Sequence, residues 1–399
     1  MIIGGGFGQL PAILIAKSIG LKTIVADKNN YAIGMQYGDI ALHIDILDTS
    51  NIISAALEYN IAGVMTMQSD IGVPTVGAVV DALGLSGCGR VVSERCSNKI
   101  LTRELFARHG VPQPNFYVIN SLDDIAYATK LLGYPFVVKA PDSSGSRGVV
   151  KVNNETELEA AFAEAKGVTR GDNILFEEYI VGIEVGAQAF STKGRCQVVL
   201  VHDDELSSPP FMIPIAHAFP SSLPPLILEK VVNAVSACVE ALGISDGPSN
   251  VDLIIDLEGN PRIIEVGARI GATCLPELVN YHTGIEWTRA AVQAAVGMDP
   301  DLAIKRNQPC AAFILESPED GIMNNFTLPE LWAKNPNVLE WEVTSRPGDI
   351  VSRFRKGTDR IGKVLTTGET TKQALELGRA FREAINFQVL PSNKKEIKP

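Results

Sequence analysis

Residues 250–269 read NVDLIIDLEGNPRIIEVGAR. Two apolar runs flank Glu258 and Gly259, so a two-residue hairpin turn is expected there. That turn sets Asp252 opposite Glu265 and Asn250 opposite Gly267. A longer turn at Gly259-Asn260 would shift the register by one and break the pairing. Alternation along the strands puts Glu265, Gly267 and Arg269 on one face. Val251, Leu253, Ile255, Ile264 and Val266 then build the other, buried face. Like charges directly opposite each other destabilise a sheet unless a cation lies between them. Two carboxylates and an amide are hard oxygen donors that suit Mg²⁺. The alternative is two unrelated surface carboxylates.

Upstream, residues 136–149 read FVVKAPDSSGSRGV. A strand ends in Lys139 and runs into a small, glycine-rich loop, 142–148, with Arg147 as a second cation and another strand directly after. Such a loop can fold its backbone N–H groups over phosphates. Otherwise it is a flexible hairpin loop beside a snorkelling lysine. It is no Walker loop, since GxxxxGK[ST] is absent. Residues 174–184, ILFEEYIVGIE, end an apolar strand in acids. An adenine needs backbone donors and acceptors with apolar walls, and a ribose needs a carboxylate such as Glu184. A solvated strand edge is the plainer reading.

Residues 1–92 alternate strands (2–3, 23–26, 42–46, 63–67) with helices (to Ile19, 50–60, 72–83), the rhythm of a parallel sheet covered on both faces. The run Gly4-Gly5-Gly6-Phe7-Gly8 does not satisfy GxGxxG. Asp27 keeps a dinucleotide in view, but a tight strand-to-helix turn is the favoured reading. A second region opens near Ser93. It has helices at 98–109, 121–132, 154–166 and 225–242, strands at 116–119, 136–140, 149–152, 174–179 and 184–190, and a proline-rich loop at 207–225. The C-terminal part closes with a strand at 361–365 and a helix at 370–385, and the tail from Asn393 is expected to fray.

The chain has 399 residues, 46% hydrophobic and 20% charged, which fits two or three globular domains. Its formal charge of −11 disfavours non-specific binding to nucleic acid or anionic membrane. Cys88, Cys96, Cys196, Cys238, Cys274 and Cys310 contain no CxxC spacing, so reduced thiols in a cytoplasmic protein are expected. No apolar run reaches the ~18 residues of a membrane span, and no signal peptide is read at the N-terminus.

Together the three motifs, in this order, resemble the ATP-grasp superfamily, which includes biotin carboxylase, D-alanine–D-alanine ligase and the L-amino acid ligases. The resemblance spans about 98–270 and extends to both flanks. It implies an α/β ATP-grasp fold with an N-terminal Rossmann-like (pre-ATP-grasp) parallel-sheet domain, 1–92. An ATP-grasp domain follows at 93–305, with a mobile subdomain at about 133–181, and a C-terminal α+β domain at 306–399. It further implies ATP and one or two Mg²⁺, with Mn²⁺ as a substitute. Lys99 and Lys139 resemble the family's ATP lysines. Ser143, Ser144, Gly145, Ser146 and Gly148 resemble the phosphate-covering loop, and Glu177, Glu178, Tyr179 and Ile180 the adenine hinge. Glu184 matches the ribose carboxylate, Asp252 and Glu265 the metal pair, and Arg269 the arginine that meets the acyl phosphate. Lys139, Arg147 and Arg269 are the expected catalytic cations. Many members carry Asn where this chain has Gly267, and Glu where it has Asp252. The first departure leaves a third metal position open to water.

The implied reaction is ADP-forming ligation. A carboxylate is a poor acyl donor, so ATP converts it to an acyl phosphate that an amine displaces. Positioning and charge neutralisation carry such phosphoryl transfer. Residues 209–224 and 265–271 resemble the amino acid ligases more than the purine enzymes. The expected substrates are therefore a small carboxylate and an amine, an amino acid or small peptide. Phe211, Met212 and His217 are candidates to line the acceptor site, with His217 as a base. The alternatives are a formate-dependent glycinamide ribonucleotide transformylase and a non-catalytic ATP-binding protein. A homodimer is expected.

Overall fold

In the computed structural model, which describes residues 1–145, 147–207 and 213–391, Ile2–Ile3, Ile24–Asp27 and Ile40–His43 form a parallel sheet in that order. Ile3, Val25 and Ala26 are fully buried, as a sheet covered on both faces requires. Helices Leu10–Ser18, Thr49–Glu58 and Val73–Leu83 alternate with these strands. The strand expected at 63–67 is reduced to single bridges, Ile2↔Met65 and Met67↔Ile270. Its partner is only two residues long, because Gly4 turns the chain away at φ +96°.

This sheet belongs to the first of two units, Met1–Val201 with Leu223–Ala272 and Glu286–Leu302. The same unit holds a second, antiparallel sheet. Its spatial order is Phe116–Ile119, Ile174–Glu178, Phe136–Lys139, Val149–Val152. Helices Leu122–Leu132 and Glu155–Val168 flank it in sequence. Phe136, Val138 and Phe176 meet Ala161 and Ala165 in its core. A third set places Pro261–Gly267, Gly247–Asp256, Gly182–Thr192 and the start of Arg195–Leu206 side by side. Helix Pro225–Leu242 packs its fully buried Val231, Val235, Val239 and Leu242 on that set, together with Phe106.

The hairpin reaches the expected pairing by another route. Asp252 does stand opposite Glu265, and Asn250 opposite Gly267. Nearer the tip, however, Leu253 pairs with Ile263 and Ile255 with Pro261. The turn spans Asp256 to Asn260 rather than two residues, because the Asp256 carboxylate accepts from Glu258 N and Asn260 N at 3.0 and 2.8 Å. A bulge at Ile264 absorbs the extra residue and returns the acids to register. Arg269 lies beyond the end of the strand at Gly267, in a bend closed by Arg269 N–H to the Gly267 carbonyl at 2.9 Å.

The second unit comprises His202–Ser222, Thr273–Ile285 and Ala303–Pro399. Strand Arg195–Leu206 enters it at His202. There Pro214–Phe219 pairs antiparallel with that strand, His217 facing Asp204. The stretch expected as a proline-rich loop thus contains a strand, since its Ile215, Ala216, Ala218 and Phe219 are buried. Cys310–Leu315, Gly362–Thr367 and Val338–Val343 continue this sheet. Gly321–Thr327 forms another with Ile350–Val351 and Asn386–Leu390. Helix Thr371–Ala384 covers the first of them. Gly378 is needed there, because a Cβ would lie 2.5 Å from Phe313. Phe211, Met212, Ser146 and the expected frayed tail lie outside the described residues.

Candidate active site

The acidic pair is built on the hairpin and held by polar neighbours. Asn250 Nδ2 donates to Asp252 Oδ1 at 2.9 Å, and Gln188 Nε2 donates to Asn250 Oδ1 at 2.7 Å. Gly271 N–H in turn donates to Gln188 Oε1 at 3.3 Å. This chain of amides orients the Asp252 carboxylate. Glu265 accepts from Lys99 Nζ at 3.2 Å, so a lysine offsets part of the repulsion between the acids. Two carboxylates on facing strands, one exposed and one half-exposed, are a donor set that fits a hard divalent cation.

Lys99 opens helix Lys99–His109. Asn98 Oδ1 caps that helix by accepting from Ile100 N and Leu101 N at 3.0 and 3.4 Å. The Lys99 ammonium also donates to the Ser143 carbonyl at 2.6 Å. It therefore touches both the loop and the acidic pair. The loop itself leaves the sheet between paired Lys139 and Val149, turning at Gly145 and Gly148 with φ +65° and +66°. At Gly148 even a Cβ would collide with Val168, at 2.4 Å. Asp142 anchors the loop base by accepting from Thr169 Oγ1 at 2.7 Å and Arg170 N at 2.9 Å. The exposed Arg147 folds back to the Ser144 carbonyl at 3.2 Å.

Lys139 is buried and donates to Glu177 Oε2 at 2.6 Å. Glu177 also receives Arg103, Nε to Oε1 at 2.6 Å and Nη2 to Oε2 at 3.3 Å. Burial works against the Glu177 charge, but Arg103 and Lys139 outweigh it and hold the carboxyl down to about 2. Burial, with Arg103 and Lys99 nearby, keeps Lys139 below the ordinary lysine range despite Glu177. Glu178 accepts from Asn115 N and Nδ2 at 3.1 and 2.8 Å. Both hinge acids thus have protein partners. Ile180 is buried, and Lys151 Nζ stands 3.8 Å over the Tyr179 ring. Glu184 lies exposed on the next strand, opposite Ile254.

Arg269 meets Asp70 through two bonds, Nε to Oδ1 at 2.8 Å and Nη2 to Oδ2 at 3.0 Å. Burial favours neutral Asp70, but Arg269 first and Lys99 after it keep its carboxyl below the usual range. Asp70, Arg103 and Gln188 carry no sequence motif and were not anticipated. The one hint was Gly267, where a Cβ would stand 2.9 Å from Asp70 Oδ1.

The glycine cluster is a tight turn. Asp27 Oδ2 accepts from Gly5 N at 2.8 Å, and Gln9 Oε1 accepts from Gly6 N at 3.0 Å. The acid that kept a dinucleotide in view instead satisfies the turn. In the second unit, His217 and His202 both point Nδ1 at Asp204 Oδ1, at 2.5 and 2.7 Å. Ligands of one tetrahedral Zn²⁺ stand about 3.3 Å apart, given bonds of about 2.0–2.1 Å. The cluster is therefore hydrogen-bonded. Burial opposes the Asp204 charge, yet the two imidazoles hold its carboxyl well below the usual range.

Residues 132–277 match the ATP-grasp domain, and residues 313–390 match the L-amino acid ligase C-terminal domain 2. The L-arginine-specific L-amino acid ligase of Bacillus subtilis is 20% identical over 294 residues, 73% of this chain and 71% of that protein. The formate-dependent phosphoribosylglycinamide formyltransferase of Sulfurisphaera tokodaii is 24% identical over 386 residues, 94% of each. The crystal structure of phosphoribosylglycinamide synthetase from Anaerococcus prevotii superposes with a TM-score of 0.83. It is 27% identical and covers 98% of both chains. The chain thus carries the ATP-grasp domain, and the homologues that share it are ligases that form C–N bonds with ATP. Within that class, its C-terminal segment is of the L-amino acid ligase kind. Among the described residues no helix is long and apolar enough to cross a membrane.

Proposed function

We propose that this chain joins a small carboxylate, an amino acid or short peptide, to an amine through an acyl phosphate, releasing ADP and phosphate. The observation that carries the reading is the convergence of Lys99 on both Glu265 and the Ser143 carbonyl. One ammonium touches the acidic pair and the loop that follows Lys139. In this reading ATP lies with its adenine on the backbone of 177–180 and its ribose on Glu184. Its phosphates lie under 143–148, beside Lys99, Lys139 and Arg147. Asp252 and Glu265 would hold Mg²⁺, which when bound neutralises phosphate charge. The substrate carboxylate attacks the γ-phosphorus and ADP leaves. The amine nitrogen then attacks the acyl carbon, phosphate leaves, and the nitrogen gives up a proton. Arg269 faces the developing oxyanion with a planar fork of donors. The domain limits 93–305, with flanks 1–92 and 306–399, are part of the same proposal.

The C-terminal match favours amino acids. The formyltransferase likeness over 94% of both chains favours a second reading, transfer of formate to a ribonucleotide amine. A screen of ADP release with amino acids offered pairwise, and with formate and glycinamide ribonucleotide, separates the two. Release of AMP and pyrophosphate would exclude the acyl phosphate. Slow hydrolysis indifferent to every acceptor would mark a nucleotide-binding protein.

A further inference from the structure

Arg103 is 1% exposed and has a partner for each part of its fork. Besides both oxygens of Glu177, it donates Nη1 to the Ile263 carbonyl at 3.0 Å and Nη2 to the Ile264 carbonyl at 2.7 Å. Those carbonyls immediately precede Glu265. One side chain thus ties the helix that begins with Lys99, the strand that ends in the hinge, and the strand that bears Glu265. The buried trio Arg103, Glu177 and Lys139 holds two cations and one anion. Such a cluster is no cheap source of stability, because apolar residues of like volume commonly do as well. Its arrangement has a consequence for charge. Glu177 gives both oxygens to Arg103 and one of them also to Lys139. The net positive charge of the trio is therefore not cancelled within it, and Lys139 carries it to the base of the phosphate loop.

We propose that Arg103 is a positioning residue for the nucleotide. By engaging both oxygens of Glu177, it keeps the Lys139 ammonium available to a triphosphate and fixes it relative to the strand of Glu265. This rests on the ATP site proposed above. Lys139 and Glu177 already bond at 2.6 Å, so without Arg103 they are left as a neutral pair whose charge no longer draws the phosphates. Without the Glu177 charge, Arg103 and Lys139 face each other with no anion between them, and Lys99 adds to the repulsion. Lys139 then releases its proton at lower pH.

The test is calorimetric affinity for a non-hydrolysable ATP analogue with Mg²⁺ from pH 6.5 to 9, with thermal unfolding to show that each variant is folded. For Arg103→Gln we expect about tenfold weaker binding at every pH, one decade per 1.36 kcal/mol. Arg103→Lys keeps the charge but loses the fork and should recover little. For Glu177→Gln we expect affinity to fall with rising pH more steeply than in the wild type. Adding Arg103→Gln to it removes the repelling cation and should restore the wild-type slope. A packing role for Arg103 would make the double variant worse, not flatter. A Glu177→Gln profile parallel to wild type, or a double variant as steep as the single, overturns the proposal. Should Arg103→Gln not fold, the Glu177→Gln profile decides alone. If the wild-type protein binds no analogue, the ATP reading itself fails.

Discussion

Arg269 and Asp70 lie 199 residues apart in the chain, yet the guanidinium grips the carboxylate through two parallel hydrogen bonds at 2.8 and 3.0 Å. The pair is partly open, with 12% of the arginine and 34% of the aspartate side chain exposed. In the free protein the arginine's fork is therefore held in one orientation by an internal carboxylate, the kind of group a substrate would bring.

Replacing Arg269 by Ala should cut acceptor-dependent ADP release by about 10²–10³, the usual cost of losing an oxyanion donor. Affinity for an ATP analogue should stay within a few-fold. Arg269→Lys keeps the charge without the fork and should recover little. Steady-state kinetics and calorimetry read the two halves separately. Joint loss of nucleotide binding and turnover would move Arg269 into the nucleotide pocket.

Gly267→Ala places a methyl group 2.9 Å from Asp70 Oδ1. The carboxylate is the free end of a side chain and can move aside, so the stability change should stay within about 1 kcal/mol. The two-bond grip on Arg269 should be lost and turnover should drop at least tenfold, about 1.4 kcal/mol of barrier. A variant with normal kinetics would show that the grip does not orient the arginine for chemistry.

Asp252→Asn should raise the Mg²⁺ concentration needed for half-maximal turnover and slow the reaction strongly. Removing one of two facing charges should leave the metal-free fold as stable or more so, because opposed like charges destabilise a strand pair. A Mg²⁺ titration beside a urea melt in chelator gives both numbers. Normal activity at low Mg²⁺ would take Asp252 out of the metal site.

Glu177→Ala should cost about 3–5 kcal/mol at pH 7, since it strands Arg103 and Lys139 in the interior. The Glu177 carboxyl titrates at about 2 in the fold, below the ordinary 4.5. A depressed acid stabilises the fold fully above its unfolded value and loses that contribution as pH falls through its folded value. The gap between wild type and variant in urea should thus be constant above about pH 5 and narrow towards pH 2. A gap that does not change with pH would assign the loss to packing.

What the sequence disclosed was local. Lys139, the loop after it and the facing acids could be read because strand alternation and glycine spacing act over a few residues. The hairpin was read with the right partners and the wrong turn, since Asp256 bonds its own turn and Ile264 takes up the slip. Asp70, Arg103 and Gln188 were invisible for a different reason. Each is a single polar residue in an unremarkable context, and its partner is 199, 74 or 62 positions away. The strand at 214–219 was hidden by the prolines around it.

The bulge at Ile264 separates the hairpin into a tip and a base with independent tolerances. The turn at 257–260 should accept a grafted reporter peptide without rotating Asp252 or Glu265, because the pairs Ile255–Pro261 to Leu253–Ile263 lie between the turn and the acids. Loss of the single residue 264 would remove the bulge and leave a regular ladder, with Leu253 still opposite Ile263 and Asp252 still opposite Glu265. A one-codon deletion there should therefore keep both acids on their face, whereas an insertion between Glu265 and Val266 should part them.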